Sequence, residues 1–303
     1  MTLWGESTLA MIRRTVEISG HGNHLFISDG ALCVRRGRDV VGRVPLEDLG
    51  VLILDAPTTT YTHHAIAEAL AAGAVILPCG RDHHPAGMFL PQTSSLQTQR
   101  VRDQAAASAP LRKRLWQQIV RRKIANQAAV LDDGPVAKGL KLMVSRVRSG
   151  DPANVEAQAA RKYWRALFGK VFRRGREGAP PNALLNYAYM VLRACVARSV
   201  CAAGLHPSLG LHHHNRSNAF ALADDLVEPL RPMADRKVKA LYEAGAREVE
   251  RETKVELLSL LTAEIEVAGA RGPLMVGLER VIASLVRCYA GEAKAIELPV
   301  PCN

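Results

Sequence analysis

The chain has 303 residues, of which 48% are hydrophobic, 23% are charged and 5% are aromatic. This balance is typical of a soluble globular protein, and the length can hold two domains with separate cores. No apolar run approaches the ~20 residues that cross a bilayer, and the opening MTLWGESTLAMIRR lacks a secretory signal pattern. The six cysteines are scattered, mostly in apolar segments, which indicates reduced, packed thiols. We therefore expect a cytoplasmic protein with no membrane contact.

The first ninety residues are predicted to form short strands. Segments 14–18, 24–27, 31–35, 40–44 and 51–54 are rich in residues that favour β-structure. Ser28-Asp29-Gly30 is a tight-turn signal, and a helix over 62–72 should end at Gly73. Segments 74–77 and 87–90 complete a small β-rich domain.

The pattern changes to helical after the predicted linker at 91–96. Two adjacent i, i+4 apolar rows, Leu111/Leu115/Ile119 and Trp116/Val120/Ile124, predict an amphipathic helix. Asp151 and Pro152 are typical of the N-cap and first position of a further helix, which would carry Glu156 among small residues. Pro180-Pro181-Asn182 opens another apolar helix.

The positive charge is concentrated in this helical part. The formal net charge is +11, and the segment 112–176 contains 17 Lys or Arg against four acidic residues. A basic tract on several helices is typical of a protein that binds nucleic acid, although a solvated helix surface would look the same. The candidate DNA contacts are Arg112, Lys113, Arg121, Arg122, Arg161, Arg173 and Arg174.

The strongest candidate for a chemical site lies between residues 212 and 228. Three imidazoles (His212, His213 and His214) and three carboxylates (Asp224, Asp225 and Glu228) fall within seventeen residues. Asp225 and Glu228 share a helix face, and Pro229 predicts a bend or break beside them. Carboxylates with an imidazole and no nearby cysteine suit Mg²⁺ or Mn²⁺ better than structural zinc. A surface histidine run before an ordinary acidic turn remains the alternative.

Four blocks carry a family resemblance. VEAQAARKYW (155–164), NALLNYAYMVL (182–192), AGLHPSLGLHHHN (203–215) and DDLVEPLRP (224–232), in this order and spacing, resemble the CRISPR-associated adaptation integrases. These are the larger of the two near-universal spacer-acquisition proteins. The HHHN and DDLVEPLRP forms are similar to those of type II systems, whose effector is a single RNA-guided nuclease.

The resemblance implies an α+β fold in two parts. Residues 1–90 would form a small β-rich, β-sandwich-like dimerisation domain, residues 91–96 a linker, and residues 97–303 a larger all-α catalytic and DNA-binding domain. It also implies a homodimer bridged by the second, smaller adaptation protein into a heterohexamer. Double-stranded DNA, both prespacer and CRISPR repeat, would be the substrate, and the effector nuclease is a further candidate partner.

The resemblance also implies a ligand set for Mg²⁺ or Mn²⁺. Its glutamate maps to Glu156, its histidine to His213 and its acidic ligand to Glu228, where many relatives have Asp. Asp225 matches a second acidic position and is a further ligand candidate, whereas Asp224 points about 100° away on a helix. Spacing alone does not separate His213 from His212 and His214.

The chemistry implied is transesterification, in which a DNA 3′-hydroxyl attacks a phosphodiester in the repeat without a covalent protein nucleophile. Two other classes stay open at this point. One is a metal-dependent nuclease of repair or recombination with no integration activity. The other is a catalytically silent DNA-binding subunit.

Overall fold

The computed structural model describes residues 14–80, 86–91, 96–131, 133–175 and 178–302. The N-terminal region contains two sheets and one helix. Its elements are β1 (Arg14–Ile18), β2 (Asn23–Ser28), β3 (Ala31–Arg36), β4 (Asp39–Pro45), β5 (Leu49–Leu54), β6 (Thr60–Tyr61), α1 (His63–Ala71) and β7 (Val75–Pro78). One sheet is mixed, in the order β4-β3-β2-β6, and the other is parallel, in the order β1-β5-β7.

Local chemistry explains most of these elements. The β2–β3 hairpin turns at Asp29 and Gly30, which confirms the tight turn predicted there; their φ angles of 48° and 68° lie in the left-handed region. Thr62 caps α1 by accepting a hydrogen bond from the Ala65 amide at 3.1 Å. The strand predicted at 87–90 is wrong, because the segment forms only an isolated bridge between Phe89 and Ile76.

The parallel sheet is buried on both faces. Leu52 and Ile76 lie in a small core that both sheets share with α1. Val51 and Val75, one position earlier, lie in the large core formed with the helices, because alternate strand residues point to opposite faces. The N-terminal sheets and the helical part are therefore in direct contact through this sheet. The boundary after residue 90 stays a prediction, and residues 92–95 of the predicted linker lie outside the described residues.

The larger part of the chain is mainly helical. Its elements are α2 (Gln97–Ala106), α3 (Ala109–Val130), α4 (Pro135–Val144), α5 (Val155–Phe168), α6 (Asn182–Ala202), α7 (Ala221–Val227), α8 (Arg231–Glu243), α9 (Arg251–Leu258), β8 (Glu264–Val267), β9 (Ala270–Pro273), α10 (Leu274–Tyr289) and β10 (Val300–Pro301). Both predicted apolar rows of α3 pack into the large core. In the part of the chain that is described, no helix is both long and apolar enough to span a membrane.

The expectation of an all-α second part is wrong. β8, β9 and β10 form a three-stranded antiparallel sheet near the C-terminus. Alternating Ile265 and Val267 are buried against α10, and the hairpin turns through Ala268 and Gly269 at φ 52° and 80°. Gly277 allows this approach, since a Cβ there would lie 2.4 Å from the Ile265 side chain. An α+β fold, with N-terminal sheets and a larger helical part, is confirmed.

Candidate active site

Two glutamates from distant parts of the chain converge on one lysine. Lys123 of α3 lies 2.6 Å from Glu156 Oε1 and also forms an ion pair with Glu228 Oε2. Arg231 of α8 contacts the other Glu228 oxygen at 3.0 Å. The Glu228 side chain is 4% exposed, whereas that of Glu156 is 24% exposed, so the cluster opens to solvent on the Glu156 side.

The charges in this cluster depend on each other. Burial alone would raise the pKa of Glu228, but Arg231 and Lys123 outweigh it, so the pKa is lowered. Burial alone would likewise lower the pKa of Lys123, but Glu228 and Glu156 raise it. The buried Glu228 carboxylate is therefore kept in its ionised form, which is the form that binds cations.

Helix ends position both glutamates. α5 begins at Val155 with Asn154 as its N-cap, so the predicted start at Asp151 and Pro152 is wrong. Asp151 still satisfies the first turn, because its carboxylate accepts the Val155 and Glu156 amides at 2.9 Å each. Glu156 is thereby held at the helix N-terminus, where a negative charge is favoured.

Glu228 lies in the turn between α7 and α8. Pro229 follows it and α8 begins only at Arg231, which confirms the predicted break. Asn126 of α3 holds the turn by donating to the carbonyl oxygens of Pro229 at 2.7 Å and Pro299 at 3.2 Å. Lys123 and Asn126 are one helical turn apart, so one face of α3 contacts both Glu228 and its turn.

His213 is oriented by a buried carboxylate. Asp225 is fully buried and accepts hydrogen bonds from His213 Nδ1 at 2.6 Å and from the amides of Leu211, His212 and His213. The hydrogen bond to Asp225 raises the His213 pKa above its usual value. With Nδ1 bonded to a carboxylate, Nε2 is the ring nitrogen left for a ligand, which is the usual arrangement of metal-binding histidines.

The loop before His213 requires a glycine. A Cβ at Gly210 would lie 2.7 Å from the His213 carbonyl oxygen and 2.9 Å from Asp225 Oδ2. The backbone can approach α7 this closely only without a side chain.

The three histidines of the run differ in environment. The exposed His212 ring stacks on Trp116 of α3, with centroids 4.3 Å apart and planes 1° from parallel. His214 is also exposed. Of the three rings, only that of His213 is hydrogen-bonded to Asp225. This geometry favours His213 among the three.

The other two acids have structural partners. Asp224 forms a bidentate pair with Arg193, at 2.6 and 3.0 Å, and also accepts from Asn218. Asp225 uses both oxygens on the histidine loop. The arrangement therefore favours Asp225 as the residue that positions His213, and the ligand roles of Glu156, Glu228 and His213 stay predictions.

The two glutamates and His213 offer donor groups for a divalent ion. Among the described residues no three His, Cys, Asp or Glu side chains are arranged to hold a metal ion, and Lys123 lies between the two glutamates. The donor types themselves fit Mg²⁺ or Mn²⁺, since two carboxylates meet at the point that the Lys123 ammonium occupies and an imidazole is a further donor. An ion at that point requires the ammonium to move.

A buried network lies behind Glu228. The Arg231 guanidinium packs over the Tyr189 ring, with its Cζ 4.8 Å from the centroid. The hydroxyls of Tyr189 and Tyr163 both donate to Asp235, which is 1% exposed. Burial raises the Asp235 pKa to about 7, against the opposing effect of these hydrogen bonds. The network holds Arg231 in place. Arg231 in turn fixes Glu228 Oε1, the carboxylate oxygen that Lys123 does not contact.

The candidate DNA-binding residues divide into two groups. The guanidiniums of Arg121, Arg173 and Arg174 donate to nearby main-chain carbonyls, those of Val147, Lys170 and Gly175 among them. Lys113 and Arg161 are exposed, while Arg112 and Arg122 are half-buried. The exposed members are the better placed to reach a phosphate backbone.

The residues predicted for the site do not include Lys123, Arg231 and Asn126, and Trp116 is predicted only as part of an apolar row. Lys123 is one of the 17 basic residues of the tract predicted to bind nucleic acid, yet it falls at helical spacing from Trp116, Ile119 and Val120. A lysine that interrupts a buried apolar row is a signal of a buried ion pair, and it could have been noticed.

Comparison with known proteins identifies the family. The family model for "CRISPR associated protein Cas1" matches residues 16–261. A curated "CRISPR-associated endonuclease Cas1" of Neisseria meningitidis serogroup C is 40% identical over 263 residues, which is 84% of this chain and 86% of that protein.

Two solved structures share the fold. A casposase bound to its integration product superposes with a TM-score of 0.77 at 19% identity, covering 94% of this chain and 92% of that one. A chain of a Cas6-RT-Cas1–Cas2 complex gives a TM-score of 0.74 at 18% identity, covering 97% of this chain and 36% of that one. The chain belongs to the Cas1 family of CRISPR-associated proteins.

Proposed function

We propose that this chain is a metal-dependent integrase and endonuclease of CRISPR adaptation, which joins the 3′-hydroxyl ends of prespacer DNA to the CRISPR repeat by transesterification. The observation that carries the proposal is the convergence of Glu156 and Glu228 on one point, occupied by the Lys123 ammonium, in a chain whose His213 ring is fixed by Asp225. Family membership supports the adaptation role, and the casposase likeness supports this fold as a scaffold for strand transfer.

Glu156, Glu228 and the Nε2 atom of His213 would hold the ion, Mg²⁺ or Mn²⁺. When bound, the ion lowers the pKa of the attacking hydroxyl and offsets the charge that develops on the phosphate. Asp225 keeps the imidazole in the tautomer that leaves Nε2 free, because Nδ1 donates to it. Arg231 holds Glu228 from behind, which fixes the direction of its second oxygen.

The basic tract would hold the DNA backbone. Lys113 on α3 and Arg161 on α5 are exposed, and Arg161 lies on the same helix as Glu156. Contacts of this kind are made to phosphates and set the position of the duplex more than they select a sequence. The larger assembly would be a homodimer bridged by a smaller Cas2-type protein, as the name of the related Cas6-RT-Cas1–Cas2 complex suggests.

The test is strand transfer of a labelled duplex into a plasmid that carries a CRISPR repeat, with the smaller partner present. Glu156→Ala, His213→Ala and Glu228→Ala should each abolish the product, because each removes a ligand. All three should retain most DNA affinity, since the basic residues are unchanged. Activity in all three variants would show that the site is wrong.

Two controls separate the alternatives. His212→Ala and His214→Ala should stay active, and loss in one of them with activity in His213→Ala would move the ligand within the run. Metal-dependent cleavage without joined product would indicate a nuclease without integration activity. Tight DNA binding that is indifferent to Mg²⁺ and Mn²⁺, without any product, would indicate a silent DNA-binding subunit.

A further inference from the structure

The Lys123 ammonium occupies the point on which both glutamates converge. Its side chain is 11% exposed, and it lies within hydrogen-bonding distance of Glu156 Oε1 and Glu228 Oε2. We propose that Lys123 is an internal cation that holds Glu156 and Glu228 together in the metal-free protein, competes with the divalent ion for them, and withdraws when the ion binds. This inference rests on the proposed metal-dependent function.

Geometry makes the two cations mutually exclusive. Mg²⁺ binds carboxylate oxygens at about 2.1 Å. An ion at that distance from Glu156 Oε1 and Glu228 Oε2 would overlap the space that Lys123 Nζ now fills. A dication and an ammonium in contact would also repel each other strongly, because Glu228 and Lys123 are buried away from water.

The burial of Lys123 distinguishes it within the basic tract. Four other lysines of the tract, Lys113, Lys138, Lys141 and Lys162, are exposed, whereas Lys123 is buried. The buried Lys123 ammonium is stabilised by the two carboxylates beside it, and the buried Glu228 carboxylate is stabilised by the cations beside it. The lysine and the glutamates are therefore interdependent in the metal-free protein.

The charge count couples this exchange to DNA binding. Glu156, Glu228, Lys123 and Arg231 together carry no net charge. Replacing the ammonium by a divalent ion raises the charge at this point by one unit, and the displaced lysine remains nearby on its helix. The metal-bound site therefore attracts a phosphodiester more strongly than the metal-free site does. Lys123 thus makes the approach of the DNA backbone to the catalytic centre depend on the ion.

The test compares Lys123→Met with wild type and with Lys162→Met, an exposed lysine of α5. Mn²⁺ is titrated into each full-length protein by calorimetry, and thermal unfolding is followed in EDTA and in Mn²⁺. Lys123→Met should bind Mn²⁺ at least about tenfold more tightly, a change of ~1.4 kcal/mol. It should unfold at a lower temperature in EDTA and recover in Mn²⁺, because the ion replaces the missing charge. Lys162→Met should match wild type in both measurements.

Two further variants keep the test decisive. Lys123→Met/Glu156→Gln removes one of the repelling carboxylates and should regain stability in EDTA over Lys123→Met alone. Lys123→Gln retains a hydrogen-bond donor without the charge and serves if Lys123→Met does not fold; it should also bind Mn²⁺ more tightly. Unchanged or weaker Mn²⁺ binding in the Lys123 variants, with normal binding by wild type, would overturn this inference. No Mn²⁺ binding by wild type would instead refute the proposed metal centre.

Discussion

Asp225→Asn tests how the histidine loop is held. The Asp225 carboxylate is fully buried, and its two oxygens accept from three main-chain amides and from His213 Nδ1. Asparagine has the same size but keeps only one oxygen. If that oxygen serves the Leu211 and His212 amides, the new NH₂ group faces the His213 amide and ring.

Two effects follow from this change. The His213 amide loses its acceptor, and a buried N–H without a partner costs about 1–3 kcal/mol of unfolding free energy. The His213 ring can satisfy the NH₂ only by accepting at Nδ1, which moves its proton to Nε2. Because Nε2 is then unable to bind an ion, metal affinity and strand transfer should fall by at least about 10–100-fold.

The assay combines Mn²⁺ titration, strand transfer and denaturant unfolding. Asp224→Asn is the matched control, since the neighbouring carboxylate is held by Arg193 and Asn218 and does not touch His213. It should lose stability while Mn²⁺ affinity is retained. Full Mn²⁺ affinity and full strand transfer in Asp225→Asn would refute the role of Asp225 in orienting His213.

Three further predictions concern the loop, the buried network and the DNA surface. Gly210→Ala should reduce strand transfer and cost about 1–3 kcal/mol of stability, because the new Cβ would lie 2.7 Å from the His213 carbonyl oxygen. Gly139→Ala in α4 is the control: its Cβ would meet no atom within 4 Å, so the substitution should not destabilise the protein. Burial raises the Asp235 pKa to about 7, so the folded protein holds this proton more tightly than the unfolded chain. The stability that the protonated Asp235 contributes is full below pH ~4, the ordinary carboxyl pKa, and is lost as the pH rises through about 7. Denaturant unfolding between pH 5 and 7.5 should show the unfolding free energy of wild type declining with pH, and that of Asp235→Asn changing less. Equal pH dependence in the two proteins would contradict the raised pKa of Asp235. Arg161→Ala should weaken binding to unrelated duplexes equally and reduce the slope of log K against log salt by about 0.9. Arg121→Ala is the control: the Arg121 guanidinium donates to the Val147 carbonyl at 2.8 Å, so its loss should act mainly on stability. An unchanged salt slope in Arg161→Ala would show that the DNA binds elsewhere.

Features that depend on neighbours in sequence were predictable. The β2–β3 hairpin follows from two turn residues that accept a left-handed backbone. The buried face of α3 follows from apolar spacing, and the end of α7 follows from the missing N–H of Pro229. The four family blocks also pointed to Glu156, His213 and Glu228 before any contact was known, although the metal-binding roles of these residues stay predictions.

Features that depend on residues far apart in sequence needed the tertiary structure. Lys123 meets Glu228 across 105 positions, and no local pattern specifies that pairing. The choice among three histidines was likewise undecided by spacing; the structure favours His213 because Asp225 bonds its ring while Trp116 stacks on His212. The C-terminal sheet escaped prediction because its strands are only two to four residues long and are stabilised by packing on α10. Sequence therefore determined the local elements and the candidate ligands, because both are set by residue type and short-range spacing. Only the folded chain decided which charges meet. Packing brings Lys123 to Glu156 and Glu228, and a buried charge is costly unless such a partner lies beside it.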